Sequence, residues 1–204
     1  GSVLIDYVEI EDGYTHAENL APFVEKILAK NSISLDFIEA IAVSKGPGSY
    51  TGLRIGVAFS KGLCFAKNIP LIGINTLEAM ASAAVNKLEE SEALYCPMID
   101  ARRLEVYTAV FDSELNEIKD TTSLVLDKIS YEDYLKENKV YFFGNGSSKA
   151  MDIINSSNAN FLKSNYTSAK FFGDLTLKYF NSKSFEDLAY FEPFYLKDFI
   201  AGKP

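Results

Sequence analysis

The fold is decided by the stretch Lys45-Gly46-Pro47-Gly48-Ser49-Tyr50-Thr51-Gly52-Leu53-Arg54-Ile55-Gly56. An apolar run at residues 37–43 precedes it and predicts a strand, while residues 50–66 have the periodicity of a helix. After a break, residues 71–74 predict a second buried strand. Because strand, helix and strand follow each other so closely, we expect a right-handed βαβ unit with two parallel strands.

Glycines mark the junction between the first strand and the helix. Glycine permits a positive φ and a close approach of other atoms to the backbone, and the free amides at a helix start favour an anion. The spacing matches neither a Walker A loop nor the dinucleotide fingerprint. The pattern alone therefore favours a structural turn over a phosphate-binding loop. A nucleotide beside this turn would meet Gly46, Gly48, Ser49 and Thr51.

A stripe of small residues follows the helix after this turn. Gly52, Gly56, Ser60 and Cys64 recur every four residues and share one helical face. Glycine inside a helix costs about 1 kcal/mol relative to alanine, so the stripe predicts an unusually close neighbour. That neighbour is either the chain's own sheet or a second subunit. Large apolar residues such as Leu53 on the other faces argue for burial against both.

Composition and charge limit the class of protein. The 204 residues carry 20 basic and 28 acidic side chains, a net charge of −8, so the chain has no general attraction for nucleic acid. No apolar run reaches the roughly 18 residues of a membrane-spanning helix. The cysteines Cys64 and Cys96 lie in apolar surroundings, as free thiols do in a reducing compartment. We expect a cytoplasmic protein that meets nucleic acid only through a partner.

The remaining patterns predict two α/β lobes, at residues 1–92 and 93–204. Residues 3–10 predict a strand, Asp12-Gly13 a turn, and Thr15 with Glu18 a capping box that opens a helix bent or delayed at Pro22. Further helices are predicted at residues 77–88, 131–137 and 167–180. Further strands are predicted at residues 93–99, 104–111, 124–126 and 140–143, the first two forming a hairpin.

The glycine-rich stretch resembles the signature of the bacterial TsaB (YeaZ) family, which is glycoprotease-like. Three more segments match that family in the expected order: Tyr14-Thr15-His16-Ala17-Glu18, Asp100-Ala101-Arg102-Arg103-Leu104-Glu105-Val106-Tyr107, and Glu192-Pro193-Phe194-Tyr195-Leu196-Lys197-Asp198. The resemblance implies an α/β fold of the actin-like type (ASKHA, ribonuclease H-like) with two related lobes. The family's N-terminal strands are incomplete in this sequence, which has at most one strand before Gly13.

The resemblance also implies a function. Members act in forming threonylcarbamoyladenosine beside the transfer RNA anticodon, as non-catalytic partners of the TsaD-type transferase, and a TsaE-type ATPase joins the complex. ATP would then lie at the interface of the complex, transfer RNA would bind only through the complex, and a homodimer is the alternative assembly. The family's dimer surface uses its first two helices. The corresponding residues here are His16, Leu20, Gly52, Leu53, Gly56, Ser60 and Cys64.

We expect this chain to have no catalytic residue and no metal site of its own. The resemblance places Thr76 and Met80 where the catalytic paralogue has metal-binding histidines, and a thioether is a poor ligand for such a metal. The only histidine is His16. Asp100 and Glu105, beside two arginines, are expected to stay ionised and solvated. An ATP-dependent actin-like enzyme acting on a small molecule is the alternative. It would use Gly144-Asn145-Gly146 as a second phosphate loop, although a plain turn is favoured there.

Overall fold

The computed structural model describes residues 2–10 and 16–197, with His16 and Ala17 described by their backbone only. The predicted turn at Asp12-Gly13 and the capping residue Thr15 lie outside the described residues. The chain divides into two compact units, one formed by residues 1–75 with 168–204 and the other by residues 76–167. Its elements are, in chain order, α1 (His16–Lys30), β1 (Ile41–Gly46), α2 (Tyr50–Lys67), β2 (Leu71–Asn75), α3 (Thr76–Leu88), β3 (Leu94–Asp100), β4 (Glu105–Phe111), β5 (Glu117–Val125), α4 (Glu132–Glu137), β6 (Val140–Phe143), α5 (Ser147–Met151), β7 (Ala159–Phe161) and α6 (Gly173–Asn181).

The first unit contains the predicted parallel pair of strands. β1 and β2 pair in parallel with Ile41 opposite Leu71, and α2, which connects them, packs on β1. The predicted strand at residues 37–43 begins later, because Leu35–Phe37 form a 3₁₀ turn capped by the Ser34 hydroxyl. The core of this sheet and helix includes Phe191 from the C-terminal segment. Its buried members are Val43, Val57, Cys64, Leu71 and Phe191.

The strand predicted at residues 3–10 is not formed. These residues are without regular secondary structure, and the Val3 side chain is 85% exposed. Polar side chains hold the segment instead, since Lys30 pairs with Asp6 at 2.9 Å and Lys170 pairs with Glu9 at 3.0 Å. A run of aliphatic and aromatic residues is not sufficient for a strand, because a strand also needs a neighbour for its backbone hydrogen bonds.

The second unit is a five-stranded sheet covered by α3. The strand order is β5-β4-β3-β6-β7. β3 and β4 form the predicted antiparallel hairpin, whereas β6 lies parallel to β3. The predicted helix at residues 77–88 is confirmed as α3, which is buried along most of its length. β5 is longer than the predicted strand at residues 124–126, and β7 was not predicted.

The observed units differ from the predicted lobes with a boundary at residue 92. α3 belongs to the second unit because it packs on β3, and residues from Ser168 onward return to the first unit. The predicted helix at residues 167–180 is split into a 3₁₀ turn, Ala169–Phe171, and α6. In the described parts of the chain, no helix is both long and apolar enough to cross a membrane.

Candidate functional site: helix α2 and the turns beside it

One face of α2 is buried in its own unit. Leu53, Ser60 and Cys64 are 9%, 6% and 0% exposed, and the Cys64 thiol donates a 3.5 Å hydrogen bond to the carbonyl of Pro70. Burial raises the pKa of this thiol. A Cβ added at Gly56 would lie 3.6 Å from Val43 of β1. The small stripe therefore turns towards the chain's own sheet over most of its length.

This placement differs from the predicted interface in a specific way. Three residues of the predicted interface, Leu53, Ser60 and Cys64, have buried side chains. They therefore cannot contact a partner directly. Only Gly52, at the start of the stripe, lacks a neighbour from the sheet, since a Cβ there would meet only Ser49 at 3.5 Å. Leu53 and Val57, which lie beside the small residues on α2, are buried as well.

The opposite face of α2 is open to solvent and also contains small residues. Thr51, Arg54, Ala58, Gly62 and Phe65 are exposed, Phe65 at 82%. A Cβ added at Gly62 would have no atom within 4 Å. The spacing of these five residues follows one side of a helix. A neighbouring subunit could approach the α2 backbone closely on this face.

Helix α1 packs against α2 and is itself incompletely covered. Its predicted apolar face is only partly buried at every position where side chains are described. Pro22 lies inside the helix without ending it. The predicted interface residue Leu20 is among these half-buried side chains, while the side chain of His16 lies outside the described residues. The half-buried apolar residues are Leu20, Phe23, Val24, Ile27 and Leu28.

The glycine turn before α2 is fixed by the C-terminal segment. Gly46 has a φ of 115°, and a Cβ there would lie 2.7 Å from the carbonyl oxygen of Phe194. The Phe194 amide donates a 2.6 Å hydrogen bond to the carbonyl of Lys45. Ser49 caps α2, because its hydroxyl accepts a hydrogen bond from the Gly52 amide at 3.4 Å. A close approach of the chain's own backbone thus accounts for Gly46 without a ligand.

The second glycine turn packs in a similar way within the other unit. Gly144 has a φ of 96°, and a Cβ there would overlap the carbonyl oxygen of Met98. The Gly146 amide donates to the same oxygen at 3.1 Å. The Asn145 side-chain oxygen accepts a 2.9 Å hydrogen bond from the Asp100 amide. These bonds tie the turn to the end of β3 and support its interpretation as a plain turn.

The remaining candidate positions have structural partners. Met80 is fully buried. The Lys149 ammonium lies 2.8 Å from Asp100 and, with the Arg102 amide, lowers the pKa of that carboxyl, which favours its ionised form. Glu105 accepts a hydrogen bond from the Ser123 hydroxyl. Within the described ranges, no three histidine, cysteine or acidic side chains are grouped so that they could hold a metal ion.

Three side chains that were not predicted as site residues meet at the exposed start of α2. Arg54 donates a 2.8 Å hydrogen bond to the hydroxyl of Tyr50, and its guanidinium carbon lies 5.3 Å from the centre of the Tyr50 ring. The rings of Tyr50 and Tyr195 are 5.0 Å apart. All three residues lie inside the quoted family motifs, but nothing local in the sequence shows that the two motifs meet.

The fold is that of the two-unit α/β proteins of actin-like type. A family model described as TsaD, tRNA N6-adenosine threonylcarbamoyltransferase, matches residues 13–198. Since this match covers most of the chain, the chain belongs to that family.

Curated relatives confirm the resemblance to TsaB. The chain is 41% identical over 93 residues to the tRNA threonylcarbamoyladenosine biosynthesis protein TsaB of Haemophilus influenzae, covering 46% of this chain and 39% of that protein. It is 37% identical over 120 residues to the Escherichia coli TsaB, and this match covers 57% of this chain and 51% of that protein. The chain thus spans about half the length of the curated relatives that it matches, or less. A tRNA N6-adenosine threonylcarbamoyltransferase of Geobacter is 41% identical over 63 residues, and this match covers 31% of this chain and 18% of that protein.

Solved structures confirm the predicted fold. A crystal structure from Pseudomonas aeruginosa, described as an uncharacterised protein similar to the peptidase YeaZ, superposes with a TM-score of 0.79 at 23% identity. The match covers 89% of this chain and 84% of that one. YeaZ from the same organism gives a TM-score of 0.75 at 22% identity, covering 91% and 87%.

Proposed function

We propose that this chain acts in tRNA threonylcarbamoyladenosine biosynthesis as a non-catalytic partner and activator of a TsaD-type threonylcarbamoyl transferase. The observation that carries the proposal is the incompletely covered pair of helices in the first unit. α1 leaves its apolar residues half-buried, and the exposed face of α2 combines small residues with Phe65. Apolar surface left uncovered on two helices that pack together is typical of a protein interface.

Family membership supports the choice of partner. The curated relatives at 37–41% identity carry the name TsaB, and the chain also matches a TsaD-type transferase over a shorter stretch. In a two-fold dimer the same surface patch of each subunit forms the contact, and we extend this arrangement to a paralogue of the same family. The proposed assembly is therefore a heterodimer of this chain with its paralogue, in which α1 and α2 form the contact. A homodimer through the same two helices is the alternative assembly, and the two assemblies would compete for this surface.

The chemistry of the chain supports a role without catalysis. Met80 is buried in the core of the second unit, and the Asp100 carboxylate forms an ion pair with Lys149. The net charge of −8 favours a role in which other subunits contact transfer RNA. A TsaE-type ATPase would join this complex in the cytoplasm, with ATP at the interface between subunits.

Size-exclusion chromatography with light scattering tests the proposal. The purified chain is mixed with the TsaD-type protein of the same genome, and a one-to-one complex is expected. Ala58→Arg, on the exposed face of α2, should abolish the complex because a long charged side chain prevents close approach. Ser148→Arg introduces the same side chain at an exposed helical position of the second unit and should leave it intact. If two folded wild-type proteins do not associate, the proposal is wrong.

The alternative, an ATP-dependent enzyme acting on a small molecule, makes a different prediction. It requires the isolated chain to bind ATP, and calorimetric titration of ATP into the chain alone distinguishes the two. The turns at Gly46 and Gly144 are both accounted for by contacts with the chain's own backbone, so the structure gives this alternative no specific support.

A further inference from the structure

The start of α2 displays an aromatic and cationic cluster formed by Tyr50, Arg54 and Tyr195, here called the Tyr-Arg cluster. Arg54 is exposed, Tyr50 is half-buried, and Tyr195 is 38% exposed. The hydrogen bond to the Tyr50 hydroxyl uses one of the five N–H groups of Arg54. The guanidinium is therefore held in place while most of its donors remain available to a ligand.

The C-terminal segment is anchored to the first unit close to this cluster. The Phe194 amide is bonded to the Lys45 carbonyl, so the residue before Tyr195 is attached to the end of β1. Three residues earlier, Phe191 is buried in the core, and the Lys61 ammonium donates a 2.9 Å hydrogen bond to its carbonyl. Tyr50 and Arg54 lie on α2, and Tyr195 follows the anchored Phe194. Because both parts of the cluster are attached to the fold, little conformational freedom remains to be lost when a partner binds.

We infer that the Tyr-Arg cluster is a contact point for a protein partner that places a carboxylate against Arg54 and an apolar or aromatic side chain against the Tyr195 ring. Tyrosine and arginine are, with tryptophan, enriched among the residues that dominate binding energy. A guanidinium matches the two oxygens of a carboxylate with parallel hydrogen bonds. This inference rests on the proposed function, since the partner is the TsaD-type protein, and it extends the α2 interface onto the C-terminal segment.

Nucleic acid is the competing ligand for such a cluster, since bases stack on aromatic rings and arginine binds phosphate. Charge decides against it. A nucleic-acid surface needs several cations along the path of the backbone, whereas the cluster contains one cation on a chain of net charge −8. A single guanidinium that is held in place by Tyr50 instead favours one acidic side chain of a protein.

Calorimetric titration of the TsaD-type protein with the full chain and its variants tests this inference. Arg54→Ala and Tyr195→Ala should each weaken binding about tenfold or more, a typical effect for a residue that dominates an interface. Tyr190→Ala is the matched control, because Tyr190 lies on the same segment and is 84% exposed. Its removal should leave the affinity unchanged. Arg54→Lys should weaken binding nearly as much as Arg54→Ala, because an ammonium cannot make the paired bonds.

The outcomes separate this inference from the proposed function. If wild type binds and both cluster variants bind equally well, the inference is overturned while the proposed function stands. If wild type does not bind, the proposed function fails and the inference with it. If the isolated chain binds transfer RNA and Arg54→Ala abolishes that binding, the ligand is nucleic acid and the inference is wrong. Should Tyr195→Ala not fold, the exposed Arg54 variants decide alone.

Discussion

The amide of Phe194 donates a hydrogen bond of 2.6 Å to the carbonyl of Lys45. This bond joins the C-terminal segment to the turn that precedes α2. The same segment supplies Phe191 to the core and Tyr195 to the surface of α2. The C-terminal segment is therefore a part of the first unit that packs against the turn before α2 and places Tyr195 beside Tyr50 at the start of the helix.

Alanine substitutions at Gly46 and Gly62 should have opposite effects on stability, because Gly46 lies in a crowded turn and Gly62 on the exposed face of α2. Gly46→Ala should reduce the free energy of unfolding by about 1–3 kcal/mol, because it forces a positive φ on alanine and a clash with the Phe194 carbonyl. Gly62→Ala should raise it by up to about 1 kcal/mol, because Gly62 is exposed within α2 and its Cβ would meet nothing. Urea unfolding of both variants measures the difference. Equal effects would refute the role of the C-terminal segment at this turn.

Sequence patterns predicted α2, α3 and the parallel pair β1 and β2, since each has a strong periodicity of its own. They did not predict which face of α2 meets the sheet, because small residues at Gly56 and Ser60 lie beside larger apolar ones. Nor did they predict the contact of Tyr195 with Tyr50, which depends on a return of the chain from the second unit. Residues 3–10 show the opposite failure, in which a local strand pattern has no neighbouring strand.

Stability should fall at alkaline pH because of a buried polar group in the second unit. Burial raises the pKa of Cys96 from 9.0 to about 11, and the buried Tyr131 hydroxyl, which bonds Thr108 at 2.9 Å, also has a raised pKa, mainly through burial. As pH rises, the Cys96 thiol ionises at a lower pH in the unfolded chain than in the folded protein. Its contribution to the free energy of unfolding is therefore complete below pH 9 and is lost as pH rises towards 11. A shift of this size corresponds to about 2–3 kcal/mol.

Urea unfolding across that alkaline range checks the prediction. Wild type should lose stability steadily, whereas Cys96→Ala should start from a lower value and lose less of it. Tyr131→Phe should reduce the remaining loss. Parallel pH profiles for all three proteins would show that other groups cause the alkaline instability.

The ion pair of Asp100 and Lys149 should matter at neutral but not at acidic pH. The Lys149 ammonium is the main cause of the lowered pKa of Asp100. Its stabilising contribution is present above the ordinary pKa of 3.8 and is lost as pH falls through the lower folded value. Asp100→Asn should cost at most about 1 kcal/mol at neutral pH, since the carboxyl is 42% exposed. Asp152→Asn, at an exposed carboxyl, is the control and should have no effect. A loss that persists below the pKa range would contradict this explanation.

Hydrogen–deuterium exchange of the chain, alone and with the TsaD-type protein, tests most directly whether the first two helices hold the partner. Exchange should slow at residues 16–30 and 50–67 when the partner is added, and residues 76–167 should be unchanged. Slowing confined to residues 76–167, or no slowing at all with both proteins folded, would contradict the proposed interface.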